Sequence, residues 1–401
     1  MSETRDPLEP RGPWRTFLNS PHAGKVQGLL LVLLIGLIPA FAGKGFSAEL
    51  TNVVLFVEIY LILALGLNLV VGFTGLLDLG YVVFMSTGAV LTVFMCGLRS
   101  GPDGYDWPIA NDADITGDLV FGFDGSIFPI LLLAGCVTAV LGVLRGIPTL
   151  RVRGDYFAIV TLGFAEIVFE LGLWDDSNWI NFTRITGGAF GAKLGSPDRP
   201  LLFGEKLYWN TPHFYFLVLF VVVVTFIATH HVNRSRVGRA LAAVRLDETA
   251  AKACGVNVSR SKLVAFALSG FIGGVGGGIY ALWAGTVAVK SLDVWQSVLI
   301  LCCIVLGGMG SLRGVVLGTA VLMSLGEILR QRIGGVSIPP EARYLIYGFV
   351  LIVVMRFRPQ GILPVNRRLR PLSTSEERAL SEGPCELYSL DDHGPVGETI
   401  S

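Results

Sequence analysis

Apolar blocks of roughly 17–25 residues recur along this chain, and they leave very few folds open. At ~1.5 Å of rise per residue, each crosses ~30 Å of hydrocarbon as a helix. Of the 401 residues, 52% are hydrophobic and 15% charged, more apolar than the core of a soluble protein of this size requires. Alternating ten-residue strands are absent, which excludes an outer-membrane barrel. The expected fold is an all-α, polytopic transmembrane helical bundle of about ten spans. They are Gly28–Ala42, Asn52–Val71, Val82–Gly97, Ile127–Leu144, Tyr156–Leu173, Phe214–His230, Leu263–Ala284, Val294–Gly308, Val315–Leu329 and Tyr344–Met355.

Ten spans put both termini on one side. With the N-terminus in the cytoplasm, 21 of the 31 Lys and Arg residues fall inside and 10 outside, the bias that fixes orientation. Residues 1–27 then form a cytoplasmic tail, too long, polar and Pro-rich for an ordinary signal peptide. Residues 28–365 form the membrane domain, and 366–401 a cytoplasmic tail without apolar periodicity, expected to be disordered. The six cysteines show no C-x-x-C pairing, so neither a zinc nor a redox site is expected. Two long external loops stand out: Leu98–Ser126, which carries six aspartates, and Trp174–His213. They are either solvated connectors or a landing surface for a soluble receptor.

Between two apolar runs lies a basic, Ala-rich insert, Asn233–Lys262. Val237, Leu241 and Val244 are spaced for one helical face. Asp247 suits an N-cap, Glu248 the positive first turn, and Gly255 the left-handed position that ends a helix. Glu248 and Lys252 stand at i, i+4, the spacing of a favourable pair. Two short helices are expected, lying either on the anionic inner leaflet or in a groove of another protein. The apolar face offers Ala and Val rather than the Trp, Phe or Leu of interfacial anchors, which favours protein docking.

Ionisable groups in or beside spans are Glu58, Asp78, Glu166, Glu170, Lys290, Asp293 and Glu327. Charge in lipid costs several kcal/mol unless it faces a cavity or partner. Glu166 and Glu170 share a face at i, i+4. The stretch from Asn68 to Tyr81 breaks the apolar pattern with Gly72, Gly75, Asp78 and Gly80, and is either a tight cytoplasmic turn or irregular backbone beside a path. Candidate path residues are Asn68, Gly72, Gly75, Asp78 and Glu166. The run Gly270–Gly278 lacks the Lys-Ser/Thr of a nucleotide loop and gives small-x-x-x-small spacing for close helix packing. Gly307–Ser311 reads as a turn or hinge. No Walker A, H-E-x-x-H or G-x-S-x-G motif occurs, so no catalytic or metal-binding residue is expected. A proton-coupled secondary transporter would instead use Glu58, Glu166 or Glu170.

The chain resembles the LivM-like permease subunits of ABC importers for branched-chain amino acids. The resemblance is carried by A-L-G-L-N-L-V-V-G-F-T-G-L-L-D-L-G-Y (Ala64–Tyr81), T-L-R-V-R-G-D-Y-F-A-I-V-T-L-G-F-A-E-I (Thr149–Ile167) and G-R-A-L-A-A-V-R-L-D-E-T-A-A-K-A-C-G-V-N (Gly238–Asn257). V-L-G-G-M-G-S-L-R-G (Val305–Gly314) and F-R-P-Q-G-I-L (Phe357–Leu363) continue it. It implies a multi-pass protein of the bacterial inner membrane that contacts lipid and no nucleic acid. Its partners would be a second permease subunit in a heterodimer, two cytoplasmic ABC ATPases and a periplasmic amino-acid-binding protein. No cofactor would be bound by this chain, and ATP-Mg would sit on the ATPases. The ATPase-coupling loop of the family maps onto Gly238, Arg239, Ala240, Arg245, Glu248, Ala250, Ala251 and Gly255. Related permeases carry urea or short amides, an alternative cargo.

Overall fold

The computed structural model describes residues 48–97, 127–150, 152, 155–173, 212–287, 293–330, 340–358 and 361–363, with a few shorter stretches elsewhere. The expected tails 1–27 and 366–401 and the acidic loop Leu98–Ser126 lie outside the described residues. Of the first expected span, Gly28, Leu29, Val32, Leu33 and Gly36 are described, and all are helical.

Helices carry the architecture. They are α1 (Ala48–Thr74), α2 (Val82–Gly97), α3 (Ile127–Thr149), α4 (Asp155–Leu173), α5 (Pro212–Arg234), α6 (Arg236–Leu246), α7 (Glu248–Ala253), α8 (Val258–Ala284), α9 (Val294–Gly307), α10 (Leu312–Arg330) and α11 (Pro340–Phe357). The strands are two residues long: β1 (Ala192–Lys193) pairs antiparallel with β4 (Thr286–Val287), and β2 (Leu201–Leu202) with β3 (Glu205–Lys206). Among the described residues, four helices are long and apolar enough to cross a membrane: Leu50–Thr74, Ile127–Thr149, Pro212–Arg234 and Val258–Ala284. Several helices outrun the apolar spans that mark them in the sequence. α8 starts at Val258 rather than Leu263 because Asn257 caps it, its side chain accepting from the Arg260 N–H at 3.0 Å. A cap acts in water as well as in lipid, so the helix begins before the apolar run does.

Buried α1 and α8 form the centre, α8 packing against α1, α2 and α3. The glycine run expected to pack helices does so. Gly88 of α2 faces the backbone of Gly274, Gly274 itself faces Thr138 and the Ala134 carbonyl of α3, Gly277 the Met85 carbonyl, and Gly270 the Thr138 carbonyl. Side chains at these positions would separate the helices, and in hydrocarbon close backbone approach is a main source of helix association. The outward faces of α3, α4, α5 and α11 bear large apolar residues, among them Leu132, Val140, Ile159, Phe220, Phe349 and Ile352. Such faces suit lipid or a membrane partner.

Inside this bundle sits a buried ion pair. Arg145 of α3 and Asp78, in the link between α1 and α2, are 1% and 0% exposed and bonded to each other. Arg145 also donates to the Gly80 carbonyl at 2.9 Å, and its guanidinium carbon lies 4.4 Å from the centre of the Phe84 ring and 5.7 Å from that of Phe266. Asp78 accepts from the Gly80 N–H at 2.9 Å. Removing one member of a buried pair strands the other charge, at a cost of about 3–5 kcal/mol. Asp78→Ala is therefore expected to abolish or strongly lower the thermal midpoint of the detergent-solubilised permease, and Asp78→Ala/Arg145→Met to recover part of the loss. A double variant no better than the single would show that the charges are not the issue. Gly277→Ala is expected to cost about 1–3 kcal/mol by overpacking. Gly163→Ala on α4, where an added methyl meets nothing within 4 Å, should leave the same midpoint unchanged or slightly raised.

Candidate functional site

The insert Asn233–Lys262 folds as two short helices packed at the end of the bundle. Ser235, between α5 and α6, caps α6 by accepting from the Gly238 N–H at 3.3 Å. Gly238 is buried against the carbonyls of Val232 and Asn233, which lets the chain turn sharply from the membrane helix. Leu241 and Val244 are buried and Val237 is half-buried, the face the spacing marked. Val244 meets Ala251 and Val258 in a small separate core with Ala243 and Val256 packed on it.

Asp247 ends α6 and caps α7, accepting from the N–H groups of Thr249 at 2.6 Å and Ala250 at 3.0 Å. Those two bonds hold its carboxyl below the usual carboxylate range. The cap is therefore ionised at neutral pH, and its contribution is lost only as pH falls through that lowered value. Gly255, at φ +80°, closes α7: its own N–H bonds to the Lys252 carbonyl at 2.9 Å, and the Val256 N–H to that of Ala251 at 3.0 Å. The Glu248–Lys252 pair suggested by spacing is replaced. Glu248 bonds to Lys262 on α8 instead, while Lys252 is exposed. Lys262 is buried and needs a counter-charge, which outweighs the small gain of a solvated helix pair.

The eight residues assigned to ATPase coupling separate by exposure. Arg239, Ala250 and Gly255 are exposed; Ala240, Arg245 and Glu248 are half-buried; Gly238 and Ala251 are buried and shape the segment from within. Leu246, which the sequence reading missed, is 75% exposed at the corner between the two helices, and Thr249, Ala250 and Ala253 of α7 are exposed too. Its signal was an apolar residue off the Val237, Leu241, Val244 face.

The candidate path residues fall into two places. Asn68, Gly72, Gly75 and Asp78 gather at the end of α1 nearest the insert. The Asn68 side-chain oxygen accepts from the Gly310 N–H at 3.0 Å, and the Gly72 carbonyl accepts from Arg245. Gly75, at φ +77°, lies against the Arg245 stem. Asp78 is sealed behind Arg145. Glu166 stands apart, exposed on the outer face of α4, where Ile159, Gly163 and Glu170 complete a stripe at helical spacing. Glu58 is 2% exposed beside Gly36 on α1, and its carboxylate has no hydrogen-bond partner among the described residues. No group of three or more His, Cys, Asp or Glu is placed to hold a metal ion among the described residues.

One further segment meets this end of α1, and another packs on that segment. The turn between α9 and α10 carries Gly308 at φ +115° and Gly310 at φ +86°. The stretch Gly361–Leu363 returns to the end of α9, the Ile362 and Leu363 N–H groups donating to the carbonyls of Leu306 and Gly307, each at 3.0 Å.

The family described as branched-chain amino acid transport system / permease component matches residues 49–355. The high-affinity branched-chain amino acid transport system permease protein LivM of Salmonella typhimurium is 32% identical over 372 residues, covering 87% of this chain and 77% of the relative. LivM of Escherichia coli K12 is 33% identical, covering 85% of this chain and 76% of the relative. The autoinducer 2 import system permease protein LsrC of Escherichia coli O9:H4 is 25% identical, covering 86% and 90%. No solved structure matches the chain. The matched region spans nearly every helix described above, and the chain belongs to the family of permease components of branched-chain amino acid transport systems.

Proposed function

We propose that this chain is one membrane subunit of an ATP-driven importer that moves branched-chain or similar aliphatic amino acids into the cytoplasm. The observation that carries the proposal is the capped helix pair α6–α7. It presents Arg239, Leu246, Thr249 and Ala250 to solvent while its own core is closed. A rigid, small-featured ridge of this kind suits the groove of a soluble partner. The chain has no nucleotide loop of its own, so the energy comes from two cytoplasmic ABC ATPases with ATP-Mg bound. A periplasmic binding protein delivers the cargo. Ten spans with both termini inside put the ridge in the cytoplasm.

The outer face of α4 supports a path at a seam with a second permease subunit. Glu166 and Glu170 are exposed within an apolar face, and a carboxylate in hydrocarbon is costly unless it faces protein or water. Asn68, Gly72, Gly75 and Asp78 form the joint beneath that seam. The amino-acid cargo rests on the LivM relatives, and LsrC shows that a relative of similar coverage carries another name and cargo.

Reconstituted with its ATPases and binding protein, the permease is expected to take up leucine, isoleucine or valine only when ATP is supplied inside. Uptake by this chain alone on a pH gradient would overturn the importer reading, and competition by urea but not leucine would overturn the cargo. Arg239→Glu and Leu246→Glu are each expected to lower the amount of ATPase that co-elutes with the permease by tenfold or more. Full retention by both would reject the ridge as the docking surface. Glu248→Lys is the poorer probe, because it sets a like charge against buried Lys262.

A further inference from the structure

Arg245 belongs to the last turn of α6, yet its side chain turns away from the exposed ridge and into the bundle. Its Nη1 donates to the carbonyl of Gly72, in the last turn of α1. Its Cγ would lie 3.1 Å from a methyl group at Gly75, and its Nη1 3.0 Å from one at Gly310. The notch that receives this arginine exists because Gly75 and Gly310, on two separate segments, lack side chains. Both also hold positive φ, a backbone state that L side chains rarely adopt.

What Arg245 holds is itself connected. The backbones of Gly72 and Gly310 meet, a methyl group at Gly72 falling 2.7 Å from the Gly310 nitrogen, and Asn68 bonds that same N–H. The Asn68 amide nitrogen, buried at this point, has no partner among the described residues, so the joint holds an unspent donor. Beyond Gly75 the chain runs into the α1–α2 link, which grips three helices. Leu79 N–H bonds to Thr161 Oγ1 of α4 at 3.3 Å, Arg145 of α3 bonds to Asp78 and Gly80, and Val82 N–H bonds to Ser297 Oγ of α9 at 2.7 Å. Gly80 lies against the Thr161 carbonyl so closely that a methyl group there would overlap it.

We propose that Arg245 is the positioning residue that transmits movement of the α6–α7 ridge to the end of α1, and through the 75–81 link to α4. The inference rests on the ridge being the ATPase docking surface, and it takes Arg245 out of that surface. α6 also packs on the bundle through nonpolar side chains such as Leu241, contacts that permit sliding. A charged donor bonded to a backbone carbonyl is directional and resists it. The glycine turns on either side allow the clasped segment to shift as a unit, and the free Asn68 donor is available to a second arrangement.

The test uses the complete transporter with ATPases and binding protein in proteoliposomes, and reads cargo molecules imported per ATP hydrolysed. Arg245→Ala is expected to lower that ratio at least tenfold while the ATPases still co-elute. Arg245→Lys, which keeps one donor, is expected to lower it only two- to fivefold. A ratio within twofold of wild type in Arg245→Ala would overturn the proposal. So would loss of co-eluting ATPase matching that of Arg239→Glu, which would make Arg245 a docking residue. Should Arg245→Ala fail to assemble, Arg245→Lys decides alone: a ratio equal to wild type overturns the clasp, and a two- to fivefold fall supports it. Failure of the underlying reading is separate, since it appears as wild-type uptake that ignores ATP.

Discussion

Arg145 and Asp78 form the interaction on which the rest of this molecule depends. An ion pair in an apolar bundle contributes little net stability over well-packed hydrophobic residues, because both ions lose their hydration. What this pair supplies is position. It holds the irregular link between α1 and α2 in one register, with Arg145 gripping a carboxylate and a backbone carbonyl at once between the rings of Phe84 and Phe266. Every bond that ties the link to α4 and α9 requires that register.

The glycine contacts of α8 serve the same end by a different route. Helix backbones that touch leave no layer of flexible side chains between them, so α1, α2, α3 and α8 behave as one block. Against that block, α4 is held by fewer attachments, and it carries the two exposed carboxylates. A rigid core beside a lightly held helix is a suitable division of labour for a transport subunit, in which one element must move relative to another.

Local chemistry was legible in the sequence. The Asp247 cap, the Gly255 stop, the Leu241 and Val244 face and the packing role of Gly270–Gly278 all follow from residue type and short-range spacing, and all appear in the structure. Partners distant in sequence were not legible. Asp78 could be marked as a charge in an apolar run, but nothing in the spacing points to Arg145, 67 positions away. Glu248 was assigned to Lys252 because both lie on one turn, whereas burial of Lys262 decides the pairing. Arg245 reads as one more basic residue of a basic insert until the glycine notch that admits it is seen.

The return of Gly361–Leu363 to the end of α9 has a temporal consequence. The carbonyls of Leu306 and Gly307 receive the Ile362 and Leu363 N–H groups, so the inner joint lacks two of its bonds until residue 363 has left the ribosome. The α6–α7 ridge, whose caps and small core lie within residues 235–262, can be complete a hundred residues earlier. Order of synthesis therefore separates completion of the α6–α7 ridge from closure of the joint behind it.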